Sequence, residues 1–450
     1  VSAPAAHADA PSVDHLGFPR LGIWWPNPYE QPVEDIARYD LVALGDWAGD
    51  FVAPLKQLNP DIILLNSSNA CELSWDPEGN PPGPDEFIGM VPSEWFLTQV
   101  GSTLVTDIDA TQTQIQVATT TLGTGDDLIE LFMEGDTVLI EDESMMVDAV
   151  NHDTGVLTVR RGWVRPAAAH SGGTRIAAHI VFWPGSWLFD VSNYCPDAMA
   201  TDSPAPEKWT DFMARQCIEM IVGTQWDGML IDRSDGNESW LIGSSTARSI
   251  DVMRNNQLPD DNYSAFDASW NEGLRNLESQ IRAAFGSNYL IYTNLAWPHY
   301  DLLNGNNFEG CPDDKPEGPW HSWKMLTMGP GPENRGSYFE WMENCPDPKI
   351  TSFQTYEDQG MPDPDDPYWW QRNPCEEPDY IPNYRKMRFG LGTTLLHDGI
   401  YCFEYSTAGH AGLCLLWFDE FDNAGAGVHF LGEASGSAQQ VVSDLNTPDI

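Results

Sequence analysis

The sequence is poor in positive charge. Its 450 residues carry 22 Lys and Arg against 68 Asp and Glu, a formal net charge of −46 at pH 7. So acidic a surface repels a phosphate backbone, which excludes nucleic acid as a partner. The acids run along the whole chain rather than gathering in a tail, as on a solvated surface suited to salty surroundings. Long apolar runs are missing as well, and with them any membrane-spanning helix.

Several motifs are absent too. None of the eight cysteines forms a CxxC pair, which excludes zinc-ribbon and thioredoxin-like sites. There is no Gly-rich phosphate loop, and no Gly-x-Ser-x-Gly of the α/β-hydrolase kind. His299, His321, His397 and His410 show neither HExxH nor paired metal spacing, so no catalytic metal is expected. The chemistry requires no cofactor. Structural calcium on the acidic stretches 232–238 and 363–366 competes with the plainer reading of solvated turns.

What is present is a 41% hydrophobic content with 19 Trp, 14 Tyr and 18 Phe, enough for a large core with aromatics left for a cleft. Cys71, Cys195, Cys311, Cys345 and Cys375 stand in loop-like stretches where extracellular disulfides form, whereas Cys217 and Cys402 read as buried thiols. Residues 1–8 are small, apolar and loop-like, with no charged n-region, as in an exported chain after processing. An extracellular location is expected.

Residues 209–223 carry apolar side chains at helical spacing, with Gly223 as the stop. The run Met229-Leu230-Ile231 then reads as a strand buried on both faces and ends in Asp232. Similar short strands are expected at 21–25, 40–46, 62–66, 289–294, 305–310, 350–356 and 399–405, with helices between them. Eight such units make an α/β fold, a (β/α)8 TIM barrel. Between residues 101 and 180 the period changes to alternation, at 115–117, 137–140, 145–147 and 156–159. The expected organisation is thus a first barrel part at 1–100, an inserted small all-β domain at 101–180, and the remainder of the barrel at 181–450, resuming with the apolar stretch 181–190.

In such barrels the chemistry lies at the strand C-termini. Asp232, Glu309 and Glu404 each close a strand. A pair of carboxylates, one protonated and one ionised, is what acetal cleavage needs. Trp24, Trp25, Trp47, Trp183, Trp187 and Trp297 stand near strand ends and could offer flat faces to sugar rings, although any one of them serves equally as core. Asp46 and Asn294 close two further strands and could hydrogen-bond sugar hydroxyls, or satisfy loop backbone instead.

Residues 387–401, 416–422 and 430–432 carry a helix, an Asp-Gly-Ile-Tyr strand, a Trp-Phe-Asp-Glu loop and a Leu-Gly ending. Together with 227–232 and Phe308-Glu309 they resemble glycoside-hydrolase-like TIM-barrel proteins. The resemblance implies a catalytic Asp after the fourth strand, here Asp232, and a Glu after the sixth, here Glu309. Glu404 stands where the family often has Asp, and the insertion interrupts the barrel. Segments 134–141, 145–147, 157–162 and 167–170 resemble a β module of phage-tail and secreted proteins, which implies presentation or binding. Two readings follow. One is a secreted glycoside hydrolase that cleaves a polysaccharide through Asp232 and Glu309, with Trp24, Trp25, Asp46, Trp47, Trp187, Asn294, Trp297 and Glu404 binding substrate. The other is a non-catalytic, self-assembling glycan-binding barrel of a surface layer, filament or virion.

Overall fold

The computed structural model describes residues 10–74, 91–182, 185–294, 296–311, 323–329, 331–357, 373–376, 379–405, 410–432 and 434–439. Trp183, His321, residues 1–8 and the acidic stretch 363–366 lie outside them.

Eight parallel strands close a barrel in chain order. They are β1 (Leu21–Trp24), β2 (Leu41–Leu44), β3 (Ile63–Asn69), β4 (Gly228–Asp232), β5 (Leu290–Asn294), β6 (Gly305–Glu309), β7 (Ser352–Tyr356) and β8 (Ile400–Glu404). The ring shuts where β8 returns to β1, with Leu21 opposite Tyr401. Nearly every strand residue is buried, as a parallel sheet covered on both faces requires. Trp24, Leu41, Ala43, Ile63, Leu65, Leu230, Leu290, Tyr292, Ile350 and Ile400 form one buried cluster, so the interior is packed rather than a pore.

Two devices fix the start of β4. A Cβ at Gly228 would fall 2.1 Å from the Leu290 carbonyl oxygen, so only glycine lets β4 and β5 approach there. Beside it, the half-buried Asp227 accepts from Lys56 Nζ at 2.5 Å and from the Leu64 amide at 2.7 Å, tying β4 to β3. The barrel belongs to a compact unit made of residues 1–68, 214–235 and 278–450.

A second compact unit takes residues 69–213 and 236–277. Its six-stranded sheet runs Ser102–Thr103, Arg175–Ala178, Thr137–Ile140, Glu143–Asn151, Val156–Arg160, Gln114–Gln116. The alternating Ile115, Val138, Ile140, Met145, Val147, Leu157 and Val159 share its core with Phe132. This unit reaches well beyond residues 101–180. Ser186–Leu188 pairs antiparallel with Glu72–Ser74 and not with any barrel strand, so the apolar stretch 181–190 does not resume the barrel. Its strong hydrophobicity serves this unit's core, where Phe189 stacks on Trp209 at 3.8 Å.

Glu143 is a heavily engaged acid of the second unit. Arg161 donates to both of its oxygens at 2.8 Å, His170 Nε2 lies at 2.9 Å, and the amides of Gly162 and Ala168 donate as well. Burial works to raise its pKa, but Arg161 and His170 outweigh it and hold the value below the ordinary 4.5. A carboxylate whose folded pKa is depressed contributes stability above its unfolded value and loses it as pH falls through the folded one. The unit should therefore lose melting temperature as pH drops below 4.5, and Glu143→Gln should be less stable at pH 7 with a flatter acid limb. Parallel acid limbs in thermal melts of the two proteins would contradict this.

The cysteines depart from expectation. Cys375 is bonded to Cys414, whereas Cys195 and Cys345 are buried thiols with pKa values pushed up by desolvation. Cys71 and Cys311 are buried too, and neither is in a disulfide. Loop composition alone does not bring two sulfurs within bonding distance. Among the described residues no helix is long and apolar enough to cross a membrane.

Candidate active site

Strands β4, β5 and β6 each end in a polar residue, and the three meet. Asn294 Nδ2, at the end of β5, donates to Asp232 Oδ1 at 3.0 Å and to Glu309 Oε2 at 2.5 Å. Adjacent parallel strands in register bring this about, since Asn294 pairs with Asn307 two residues before Glu309. Asp232 Oδ1 also accepts the Arg233 amide at 2.8 Å, and Arg233 takes a left-handed φ of 56° there.

The orientation of Asn294 is imposed from the far side of the barrel. Glu404, ending β8, can only accept while ionised, so Gln354 turns its Nε2 toward it at 3.0 Å. That leaves Gln354 Oε1 to accept from Asn307 Nδ2 at 2.6 Å. Asn307 Nδ2 also donates to Asn294 Oδ1 at 3.2 Å, while Asn307 Oδ1 accepts from Ser352 at 2.6 Å. Asn294 is then left with its NH₂ facing the two carboxylates. A belt of amides on β5, β6 and β7 thus carries the polarity of the buried acid on β8 to the pair Asp232 and Glu309.

Tyr356, at the end of β7, donates to Glu309 Oε1 at 3.0 Å. Burial and the surrounding acids push its pKa well above 10, so it remains a donor. Glu309 itself has a raised pKa, first because it is desolvated and then because Asp232 repels its charge. His410, Asn294 and Tyr356 oppose that shift without cancelling it. Two nearby carboxyls in unlike surroundings, one biased toward its protonated form, are the arrangement of an acid beside a nucleophile or base.

Other residues expected at the site are distributed differently. Trp25 is half-buried with a φ of 46°, and its Nε1 donates to Ser67 at 2.8 Å. Asp46 is exposed and accepts from Asn66 at 3.4 Å. Trp47 is 51% exposed beside Tyr29, which is 62% exposed and donates to the Trp47 carbonyl at 3.0 Å. Trp297 is half-buried in the loop after β5.

Three expectations need correcting. Trp187 lies in the core of the second unit, stacked on His179 at 3.9 Å with its Nε1 donating to Thr137 at 2.8 Å, so it offers no face to a ligand. Trp24 is fully buried and belongs to the barrel core. Glu404, 1% exposed, accepts from the Trp24 amide at 2.7 Å, from Gln354 and from His410, so it holds other residues in place and does not touch a substrate. Tyr356, Gln354, Asn307 and His410 were not anticipated from sequence. The one available signal was that Tyr356 ends a strand, as Asp232 and Glu309 do.

Among the described residues no group of three or more His, Cys, Asp or Glu is placed to hold a metal ion. A family model described as "Hypothetical glycosyl hydrolase family 15" matches residues 168–446, more than half of the chain. No curated protein matches the sequence. Among solved structures, the glycoside hydrolase domain of PelA from Pseudomonas aeruginosa is 9% identical, with 64% of this chain and 67% of that chain covered and a TM-score of 0.30. A variant of the same domain gives 9% identity, the same coverage and a TM-score of 0.31.

Proposed function

Because the chain belongs to hypothetical glycosyl hydrolase family 15, a family of glycosidic-bond hydrolysis, we propose that Asp232 and Glu309 are its catalytic pair, acting on a polysaccharide outside the cell. The observation that carries this is the shared donor. Asn294 Nδ2 lies 3.0 Å from Asp232 Oδ1 and 2.5 Å from Glu309 Oε2. Those two oxygens are therefore closer than the about 6.5–9.5 Å an inverting pair leaves for its water, and within the about 5–5.5 Å of a retaining pair.

The chemistry follows from the unlike surroundings of the two acids. Glu309, biased toward protonation, gives its proton to the glycosidic oxygen as the bond to the anomeric carbon breaks. Asp232 Oδ2 attacks that carbon, forming a glycosyl ester and releasing the shortened chain. Glu309, now ionised, takes a proton from a water that attacks the anomeric carbon, so that the bond to Asp232 Oδ2 breaks and frees the carboxylate and the sugar. Asn294 keeps the two carboxyls in register through both steps.

Exposed Trp47 and Tyr29 and half-buried Trp297 leave aromatic surface to solvent, which supports stacking against sugar rings. The Cys375–Cys414 disulfide supports an oxidising, extracellular setting. In the stretch 232–238 the Arg233–Asp235 ion pair at 3.1 Å already neutralises one acid, which supports solvated turns over a structural calcium there. The test is reducing-sugar release from a panel of polysaccharides by the wild type and by Asp232→Asn. Release by the wild type and none by the variant is expected. Retention of a glycan with no release by either would favour the binding-only barrel.

A further inference from the structure

Glu404 and His410 take no part in the chemistry just described, yet they stand against it. His410 is 7% exposed, and its ring packs against Trp24, at 6.0 Å between centroids, and Trp25, at 4.4 Å edge to face. Its Nδ1 lies 2.8 Å from Glu404 Oε2, with Gln354 Nε2 at 3.5 Å and the Tyr356 hydroxyl at 3.3 Å. An ionised carboxylate can only accept, so Nδ1 carries a hydrogen and donates it to Glu404. Nε2 lies on the other side of the ring and makes no hydrogen bond to any described residue.

We propose that His410 is a substrate-contacting residue, an imidazolium clamped by Glu404 whose Nε2–H donates to an oxygen of the sugar held beside Glu309. The proposal rests on the glycosidase reading above. Its ground is an accounting of hydrogen-bonding groups. Both Glu309 oxygens, Asn294 Nδ2, the Tyr356 hydroxyl, Gln354 Nε2 and both Glu404 oxygens are already engaged. His410 Nε2 is the ring nitrogen of this network left without a partner among the described residues, and it donates when the ring is charged.

Charge favours the same state. The titratable groups facing the ring are Glu404 from β8, Glu309 from β6, Asp232 from β4 and the Tyr356 hydroxyl from β7; Trp24 and Trp25 are neutral. Burial works against a charged ring, but the hydrogen bond to Glu404 and the fields of Glu404, Glu309 and Asp232 outweigh it and raise the pKa above 6.5. A cationic donor at this position selects a sugar that presents a hydroxyl, amide or carboxylate oxygen and disfavours one that presents an ammonium group.

The experiment has two arms. The first measures kcat and KM for wild type, His410→Gln, Asp232→Asn and Glu309→Gln on whichever polysaccharide of the panel is cleaved. His410→Gln should lose about tenfold or more in kcat/KM, the size of one charge-assisted hydrogen bond. Wild-type KM should rise as pH increases through the pKa of the ring, and that rise should vanish in His410→Gln. The second arm needs no substrate. It follows the His410 ring by NMR in labelled wild type and in Glu404→Gln, with thermal melts to confirm folding. The ring should titrate above 6.5 in the wild type and shift downward in the variant. A wild-type ring that titrates at or below 6.5, or His410→Gln with unchanged KM and pH profile, overturns the proposal. If Asp232→Asn and Glu309→Gln keep full activity, it is the catalytic pair that fails, a result distinct from either.

Discussion

Glu309→Gln should nearly abolish cleavage of the natural polysaccharide while sparing the first, bond-breaking step on an aryl glycoside of the same sugar with a good leaving group. That step is seen as a burst of phenol before the glycosyl ester breaks down slowly. Losing a positioned general acid costs about 100- to 10,000-fold, but a phenolate that departs readily does not need the proton. Asp232→Asn should lose both activities, because no leaving group replaces the attacking oxygen. The pH profile offers a second reading. Glu309 must be protonated to act, and burial together with Asp232 raises its pKa. Wild-type activity should therefore persist above the usual carboxylate range and fall as pH rises through the shifted value. Equal loss of both substrates in the two variants would reject the division of roles. Aryl-glycoside activity that survives in Asp232→Asn but not in Glu309→Gln would reverse it.

Glu404→Ala should lower the stability of the barrel by about 3–5 kcal/mol, the cost of removing one partner of a buried ion pair. Glu404 is 1% exposed, and the substitution strands the Trp24 amide, Gln354 Nε2 and the His410 ring together. Each is then a buried donor without an acceptor. The belt of amides would also lose the acid that sets its direction, so Asn294 would no longer be obliged to turn its NH₂ toward Asp232 and Glu309. Urea unfolding measures the first effect. A change under about 1 kcal/mol, the usual range for a solvated surface pair, would return Glu404 to the role of an open, substrate-facing residue.

The barrel was legible because its signals are local. Short strand runs, most of them apolar, and helical spacing between several of them need no distant partner to be read, and all eight strands stand where they were expected. A strand's last residue is likewise a matter of position along the chain, so Asp232, Asn294 and Glu309 could be picked out as carbonyl-end side chains before their neighbours were known. Hydrophobic content alone misled at 181–190, since an apolar run does not say which unit it enters; Trp187 went into the core of the other one. The same limit hid the burial of Trp24 and Glu404, because exposure depends on what the remaining strands bring across the barrel. Closure of the ring decided the rest. It set β5 beside β4 and β6, so that one amide could serve two acids, and β8 beside β1 and β7, so that Glu404 could hold the Trp24 amide, Gln354 and His410 at once. Which residues carry polar groups is written in the sequence. Which of them share a hydrogen bond is set by strand register and by contacts hundreds of residues apart, and only the tertiary structure contains those.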